Sequence, residues 1–509
     1  MAYLRPDVYV NETLSTGVAS GGPVNPSGAF IGISWKGPIT PTLITSWADY
    51  VTKFGGFSTG TQAFSWLPFA VYTYFANGGG HCYVCRVLHA DAATASVQLD
   101  DRAGSPADTL LVSAYSPGSW ANSLHVKIID RDQPNGRFDL QVMLNGTADS
   151  NIVERFTDVT MDSTSDRYVI PVVNSDTRGS VYVRLTDSNS ATATPNDTPA
   201  VGTFDLASGS NGTSPDDNDI TGPSGAIQKF DIINQPLLMV LPGQSSSAVI
   251  QAAIAYAEGR RDVFVISDTP QNLDPAAAIS FANGLAGSAG SSFGAIYYPW
   301  VKTLDPSVNR AGVLRTMPPS GAIAGLFMKN DAERGPHKVP AGLSTKVAGA
   351  VDLESQLTNS NLDSLNSNNV NALRVAGAQP GIVVMGGRTL KRTSPDMYIS
   401  VRRSLIYLRD SLTRLTEFAI FEPNDQTLWA TVSQRCTKFL NGFYLRGGLR
   451  GNTAAEAFFV KCDSDNNTLA TIEAGEVHVE VGVALQYPAE FVIIQIGQWE
   501  GGSTAQEVF

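Results

Sequence analysis

The chain is 509 residues long and 43% hydrophobic, but only 16% charged, with 47 Gly, 28 Pro and a net charge of −12. That hydrophobic fraction excludes global disorder and the length suggests about three domains. The acidic balance argues against a protein that wraps nucleic acid.

Residues 1–20 read as an extended arm, since Val8 and Val10 alternate with Tyr9 and Asn11 at the period of a strand. Gly21, Gly22, Pro23 and Pro26 break the chain and are candidate hinge residues. GAFIGIS is a predicted strand. SWADYVTKF is a predicted helix with Ser46 as N-cap, Asp49 in the capping-box position and Gly55-Gly56 as its stop. LPFAVYTYFAN is a second helix and HCYVCRVL a strand, so residues 21–90 carry an α/β pattern.

From 91 to 229 the character changes. DTLLVSAY, LHVKIID, FDLQVML, ERFTDV, RYVIPVV and VYVRL are predicted strands at hairpin spacing, with Asn135-Gly136 a hairpin turn. This is an inserted, mostly-β domain. The Asp-rich stretch between Arg184 and Lys229 reads as a long exposed loop closing it.

The α/β pattern returns over 230–335. PLLMVLPG, RDVFVIS and GAIYYPW alternate with the helices SSAVIQAAIAYAEG and PAAAISFANGLAG, the grammar of a parallel sheet. Another helix lies within GVLRTMPPSGAIAGLFMKNDAERG. Residues 336–490 form a C-terminal core whose best helix is VRRSLIYLRDSLTRLTEF, with Val401, Leu405, Leu408, Leu412 and Leu415 on one stripe and Asp410–Arg414 paired opposite. FVIIQIG begins a last strand and linker arm, 491–509, through Phe491, Val492, Ile493, Ile494 and Ile496. The fold class is therefore α/β (α+β) and multidomain, with mixed sheets and helices, an inserted mostly-β domain and extended terminal arms.

Chemical motifs are few. No run of about 18 apolar residues predicts a membrane-spanning helix, and MAYLRPDVYVNETL lacks the pattern of a secretory signal. Four cysteines make no disulfide scaffold, so a reducing compartment is the default and the sequons at Asn145 and Asn211 carry no weight. Cys82 and Cys85 have CxxC spacing, which reads as a redox pair or half a zinc site. They lie in a strand rather than at a helix start, and structural cysteines are the plainer reading. Ser292 lies in a G-x-S-x-G string, but the predicted order is helix before and strand after, the reverse of a nucleophile elbow. Phosphate-loop and zincin patterns are absent, and Asn77-Gly78-Gly79-Gly80 precedes its strand, the wrong side for a dinucleotide. No catalytic residue, metal or cofactor is expected, and the chain is read as a non-enzyme.

GAFIGISWKGPITPTLITSWADYVTKFGG, YFANGGGHCYVCRV, YSPGSWANSLHVKI, DAERGPHKVPAG, PGIVVMGGRTL, VRRSLIYLRDSL, FEPNDQTLWA and the stretch AEAFFVKC to FVIIQI together resemble the contractile tail sheath family of bacteriophages and related contractile injection systems. The resemblance covers most of 5–90 and 330–497 and thins over 130–230. Two positions depart from its pattern: Asp7 stands where a Gly is usual, and His337 where a Trp is usual.

The resemblance implies a structural subunit, polymerised as helically stacked hexameric discs around an inner tube, that contracts to drive the tube through an envelope. It implies an inner tail tube protein, baseplate and tail terminator proteins as partners, with no direct nucleic acid and no membrane insertion. The location implied is a virion tail assembled in the host cytoplasm. Both arms would add as strands to neighbouring subunits, and the work would come from repacking rather than nucleotide hydrolysis. A sheath of a non-viral injection device is the alternative, which the sizeable insertion disfavours. An enzyme using Ser292 or the Cys82/Cys85 pair is a remoter one. Residues 340–461 carry fourteen Lys/Arg against nine Asp/Glu, so Arg388, Lys391, Arg392, Arg402, Arg403 and Arg409 are candidates to face the tube or a neighbouring subunit. The acidic insertion would project outward.

Overall fold

The computed structural model describes residues 26–57, 65–288, 290–308, 312–377, 381–393 and 395–490. It has two compact units. Residues 24–333 with 340–392 form one, and 334–339 with 393 onward belong to the other.

The first unit opens with β1 (Ser27–Gly32), β2 (Thr42–Ile44), α1 (Trp47–Phe54), α2 (Leu67–Ala76) and β3 (Cys82–Arg86). The Ser46 hydroxyl accepts the Asp49 N–H, and Gly55 closes α1 in the left-handed region at φ 90°. Asp49 turns its carboxylate to the Thr45 N–H rather than to the cap residue.

The insertion comes next. β4 (Ser96–Asp100), β5 (Asp108–Ala114), β6 (Leu124–Asp132), β7 (Arg137–Leu144), β8 (Ile152–Thr160), β9 (Val183–Asp187) and β10 (Gly202–Asp205) make two antiparallel sheets, ordered β4-β5-β9 and β10-β6-β7-β8. Their inward residues form one core around Leu110, Trp120, Phe138, Leu140 and Val183. RYVIPVV is not a strand: α3 (Val169–Asn174) occupies it. Pro171 falls in the first helical turn, where its missing N–H costs nothing, and Val169 and Val173 bury one face at i,i+4 spacing.

The Asp-rich stretch is also ordered rather than a free loop. Beyond the predicted strand VYVRL, which is β9, it contributes β10 and the short helix α4 (Asp217–Thr221), which Asp216 and Asp219 start with a capping box. Asp101 accepts the hydroxyls of Ser190 and Thr192, each at 2.6 Å. Short polar side chains that bond nearby backbone look like loop composition whether or not the loop is free.

The remainder supplies β11 (Leu237–Val240), α5 (Ser247–Arg260), β12 (Val263–Asp268), α6 (Pro275–Ala286), β13 (Gly294–Tyr298), β14 (Val301–Leu304), β15 (Leu314–Met317), α7 (Ser320–Glu333), β16 (Ala350–Leu353), α8 (Asn359–Ser367), β17 (Val370–Val375) and β18 (Ile382–Val384). The large sheet runs β18-β17-β13-β12-β11-β1-β3-β2. Its six inner strands are parallel and its two edge strands antiparallel. Every residue of β11, β12 and β13 is buried, as expected for strands covered on both faces. Residues 340–392, grouped with the C-terminal core by sequence, instead add β17 and β18 to this sheet.

The second unit contains α9 (Ile399–Thr416), α10 (Gln426–Leu445), α11 (Ala454–Ala457), β19 (Phe458–Lys461), α12 (Leu469–Glu473) and β20 (Glu480–Val483). α10 is the longest helix among the described residues, and no sequence signal marked it out. It buries Leu428, Trp429, Val432, Cys436, Phe439, Leu440 and Phe443 behind an Asp425 cap.

Candidate assembly site

Where the chain alternates direction along a doubly wound sheet, the crevice outside the strand carboxyl ends is the usual ligand site. Here that point lies between β1 and β11. It is filled from within. A Cβ at Gly243, after β11, would lie 2.3 Å from the Trp66 ring, and one at Gly32 would lie 3.0 Å from Leu67. Trp66 meets Trp300 edge-to-face at 5.1 Å, and the Trp300 indole donates to the Thr269 carbonyl at 2.7 Å. Asp268, at the end of β12, accepts the N–H groups of Gly243 and Ser320 and the Ser320 hydroxyl, so it ties two loops and the start of α7 together. Burial pushes its carboxyl up to about 6, against those hydrogen bonds.

Cys82, Cys85 and Ser292 are also enclosed. Cys82 and Cys85 are fully buried in β3; burial raises both thiols, Cys85 to about 12, the reverse of what a reactive thiolate requires. Ser292 is buried in the turn between α6 and β13. The five histidines sit against Ser27, Asp219, Asp205, Phe443 and Glu476 respectively. His89, Asp216 and Asp219 place ligand-type atoms within 4.8 Å of one another. Those carboxylates already accept the N–H groups that begin α4, which makes the cluster a helix start.

A buried joint fastens the insertion to the α/β body. The Arg86 guanidinium, fully buried, donates to the carbonyls of Pro117 (2.7 Å) and Trp35 (3.3 Å). Trp35 packs on Trp120, and the Lys36 ammonium lies 3.7 Å from the centre of the Tyr182 ring. Burial pulls the Lys36 amine down to about 7, which the Glu154 carboxylate partly opposes. Nothing in the sequence pattern flagged this joint, because its residues are far apart in the chain.

The basic candidates differ in exposure and divide between the two units. Arg388 turns inward to the Asn366 carbonyl at 3.0 Å, and Lys391 is half-buried. Arg392 is exposed and bonds Asn283 and Asn368. Those three belong to the first unit and Arg402, Arg403 and Arg409 to the second. Arg402 and Arg403 are each only 5% exposed, and Arg402 pairs with Asp396 at 3.1 Å. α9 buries Arg402 and Arg403 along its first turns and leaves Arg409 half-buried.

Of the hinge candidates, Pro26 is buried immediately before β1. Gly21, Gly22, Pro23 and the arm residues Val8, Tyr9, Val10, Phe491, Val492, Ile493, Ile494 and Ile496 lie outside the described residues.

The chain approaches its C-terminal arm through β20. β19 and β20 pair antiparallel, with Val460 opposite Val481. Among the described residues only the single bridge Leu449–Leu485 extends this two-stranded sheet. Val477, Val479, Val481, Val483 and Leu485, at strand spacing, pack half-buried against the α10 core. Two strands with an incompletely covered apolar row are marginal alone and offer unpaired backbone to a further strand.

Residues 221–390 match the family model for the phage tail sheath protein central domain, and 393–498 that for the phage tail sheath C-terminal domain, together more than half of the chain. The chain belongs to the phage tail sheath family. The junction of the two matches falls where the compact units divide, at 392–393. A prophage major tail sheath protein of Pseudomonas aeruginosa is 25% identical over 270 residues, 52% of this chain and 66% of that relative, so the match spans just under two thirds of its length. The sheath tail protein of Listeria innocua shares the fold at a TM-score of 0.61 and 15% identity, covering 88% of this chain and 90% of that one. The contracted PVC sheath of an extracellular contractile injection system does so at 0.55 and 21%, covering 98% of each chain. Coverage that complete means the insertion does not set this chain apart from injection-device sheaths, contrary to the expectation from its size. Among the described residues no helix is long and apolar enough to cross a membrane.

Proposed function

We propose that this chain is the structural subunit of a contractile sheath, polymerised as stacked hexameric discs around an inner tube and shortening to drive that tube through a cell envelope. The observation that carries the reading is the two-stranded β19–β20 sheet, with its half-covered valine row, in a unit whose chain continues directly into the strand-patterned segment 491–496. A strand from a neighbouring copy would pair the free backbone and cover the valines in one step. The N-terminal arm would act likewise, with 21–26 as the hinge that lets a body turn while its arm stays paired. Head-to-tail contacts of this kind generate a filament. With the site of a doubly wound sheet filled by indoles and no nucleotide motif in the chain, the work of shortening would come from repacking between subunits. The tube, baseplate and terminator proteins are the partners this reading implies, with assembly in the cytoplasm of the producing cell.

The test is electron microscopy of the purified full chain beside variants lacking 1–20 or 491–509. Striated hollow cylinders are expected from the full chain, and soluble folded subunits from either truncation. Truncated chains that polymerise normally would overturn the arm mechanism. Near-complete coverage against the injection-system sheath supports a second reading, a non-viral device, which neighbouring genes for toxin cargo rather than capsid would favour.

A further inference from the structure

α10 spans twenty residues, about 30 Å, and its two ends are chemically opposite. Before its first turn, the loop Glu417–Asp425 exposes Glu417, Glu422 and Asp425 around Phe421, a ring 89% exposed on a residue in the left-handed region at φ +67°. A bulky side chain in that conformation is unusual, and this one projects into solvent rather than into the fold. The Glu476 carbonyl, held by Asn424 at 2.9 Å, lies at the same end. Cations close by in the chain or the fold are already engaged: Arg414 with Asp410, Arg435 stacked on Phe418, and His478 bonded to Glu476. After the last turn, Leu445 is 74% exposed beside exposed Arg446 and Arg450. The His337 ring packs on Phe443 5.5 Å away, within the last turn before that end. A carboxylate at this end, Glu456, is already bonded to the Asn452 N–H.

Helix electrostatics account for part of this, since an acidic N-cap and a C-terminal arginine both suit the macrodipole. They do not account for a fully solvated Phe421, an exposed Leu445, or charges beyond the first and last turns. An apolar knob with an acidic rim at one end and an apolar patch with a basic rim at the other are complementary surfaces on one molecule. They cannot meet within that molecule, since a helix about 30 Å long separates them.

We propose that the Phe421 end of α10 in one copy docks on the Leu445 end of α10 in a second copy, a heterologous contact that repeats along the polymer. The inference rests on the sheath reading and names a contact between copies that is separate from the arms.

The experiment uses the full chain with charge reversal at either end, Glu417→Lys with Glu422→Lys, or Arg446→Glu with Arg450→Glu. Circular dichroism monitors folding, and sedimentation gives the critical concentration for polymer. Each variant alone carries like charge at both ends and is expected to raise the critical concentration at least ten-fold with the subunit still folded. Mixed one to one, the two variants present opposite charges to each other and are expected to copolymerise near the wild-type value. Polymer from either variant alone at the wild-type concentration, or a mixture that stays soluble, overturns the contact while leaving the sheath reading intact. A wild-type chain that never polymerises overturns both.

Discussion

Among the described residues the insertion core has twenty buried hydrophobic residues with eight half-buried ones around them, whereas the C-terminal core has twelve buried and thirteen half-buried. The first is built mainly from sheet residues and the second mainly from α9 and α10, each around a few large side chains. They also differ in closure. The insertion folds two sheets over one another and seals its contact with the α/β body by the Arg86–Lys36–Trp35 joint. Among the described residues the C-terminal unit ends on a two-stranded sheet whose row of valines is half-buried against α10. A core left in that condition has hydrophobic stabilisation still to gain, on the order of 25 cal/mol per Å² of apolar surface covered, and a subunit that must associate has a reason to keep it. On the proposed reading, the first region makes the subunit a stable body and the second makes it a component.

The largest expected effect tests that division. Phe138→Ala removes a fully buried ring from the insertion and should lower subunit stability by about 3–5 kcal/mol in denaturant unfolding. Polymer formed well below the unfolding transition should be unaffected. Val481→Asp should do the opposite. Its side chain is half-buried on a two-stranded sheet, so unfolding of the subunit should change less than for Phe138→Ala, by about 1–2 kcal/mol. Burying an unpaired carboxylate beneath an added strand should in turn suppress polymer by well over ten-fold in sedimentation. If Val481→Asp polymerises normally, the half-covered row is not an interface and the contrast between the cores loses its meaning.

Next in size is a pH effect confined to the closed region. Lys36 is 2% exposed, with Tyr182 over its ammonium and Glu154, itself near Arg184, the nearest charge of opposite sign. Its amine is pulled to about 7 when folded and returns to the ordinary lysine value when unfolded. Between those values the unfolded chain binds more protons, so stability should rise with pH, by up to about 1.4 kcal/mol per unit. Lys36→Met should flatten that rise. The comparison belongs between pH 7 and about 8.5, below the range where the buried thiols of Cys82 and Cys85, shifted upward, contribute with the opposite sign. Parallel wild-type and variant curves would mean that the amine is not buried in the folded protein.

The same contrast explains what could be read from the residues alone. Strands buried on both faces, such as LLMV and VFVISD, and helices with caps, such as SWADYVTKF, announce themselves through local periodicity and turn chemistry. RYVIPVV misled because β-branched residues at i,i+4 suit a short buried helix once Val169 and Val173 have a core to face. Arg402 and Arg403 looked like surface because arginine usually is. The partner that buries Arg402 is Asp396, outside the helix, and nothing in the helix pattern points to it. Phe421 and Leu445 carried no signal, since a single apolar residue in a loop is ordinary until its exposure is known. The arm segments show a strand pattern in the sequence and lie outside the described residues, whereas the two-stranded β19–β20 sheet, built from short segments far from any strong periodicity, is visible only in the structure.

The smallest effect separates local from cooperative stabilisation. Asp425 caps α10 by accepting the Leu428 N–H at 2.8 Å, and Asp216 caps α4 by accepting the N–H groups of Asn218 and Asp219. An alanine at either site removes a comparable interaction, worth about 1 kcal/mol. Beyond the cap the two helices differ. α10 contributes seven of the twelve buried residues of its core, so fraying its first turn loosens Leu428 and Trp429 and should cost the unit's unfolding about 1 kcal/mol. α4 is five residues long and buries none of them. Its cap can be lost by local opening that the rest of the fold does not feel, so Asp216→Ala should leave global unfolding within about 0.5 kcal/mol of wild type and show itself only as faster amide exchange over 217–221. Equal global costs at the two caps would mean that α4 is coupled to the body more tightly than its exposure implies. In that case the segment around α4, whose Asp217 accepts the Ser246 hydroxyl at the start of α5, would belong to the rigid part of the subunit along with the sealed core.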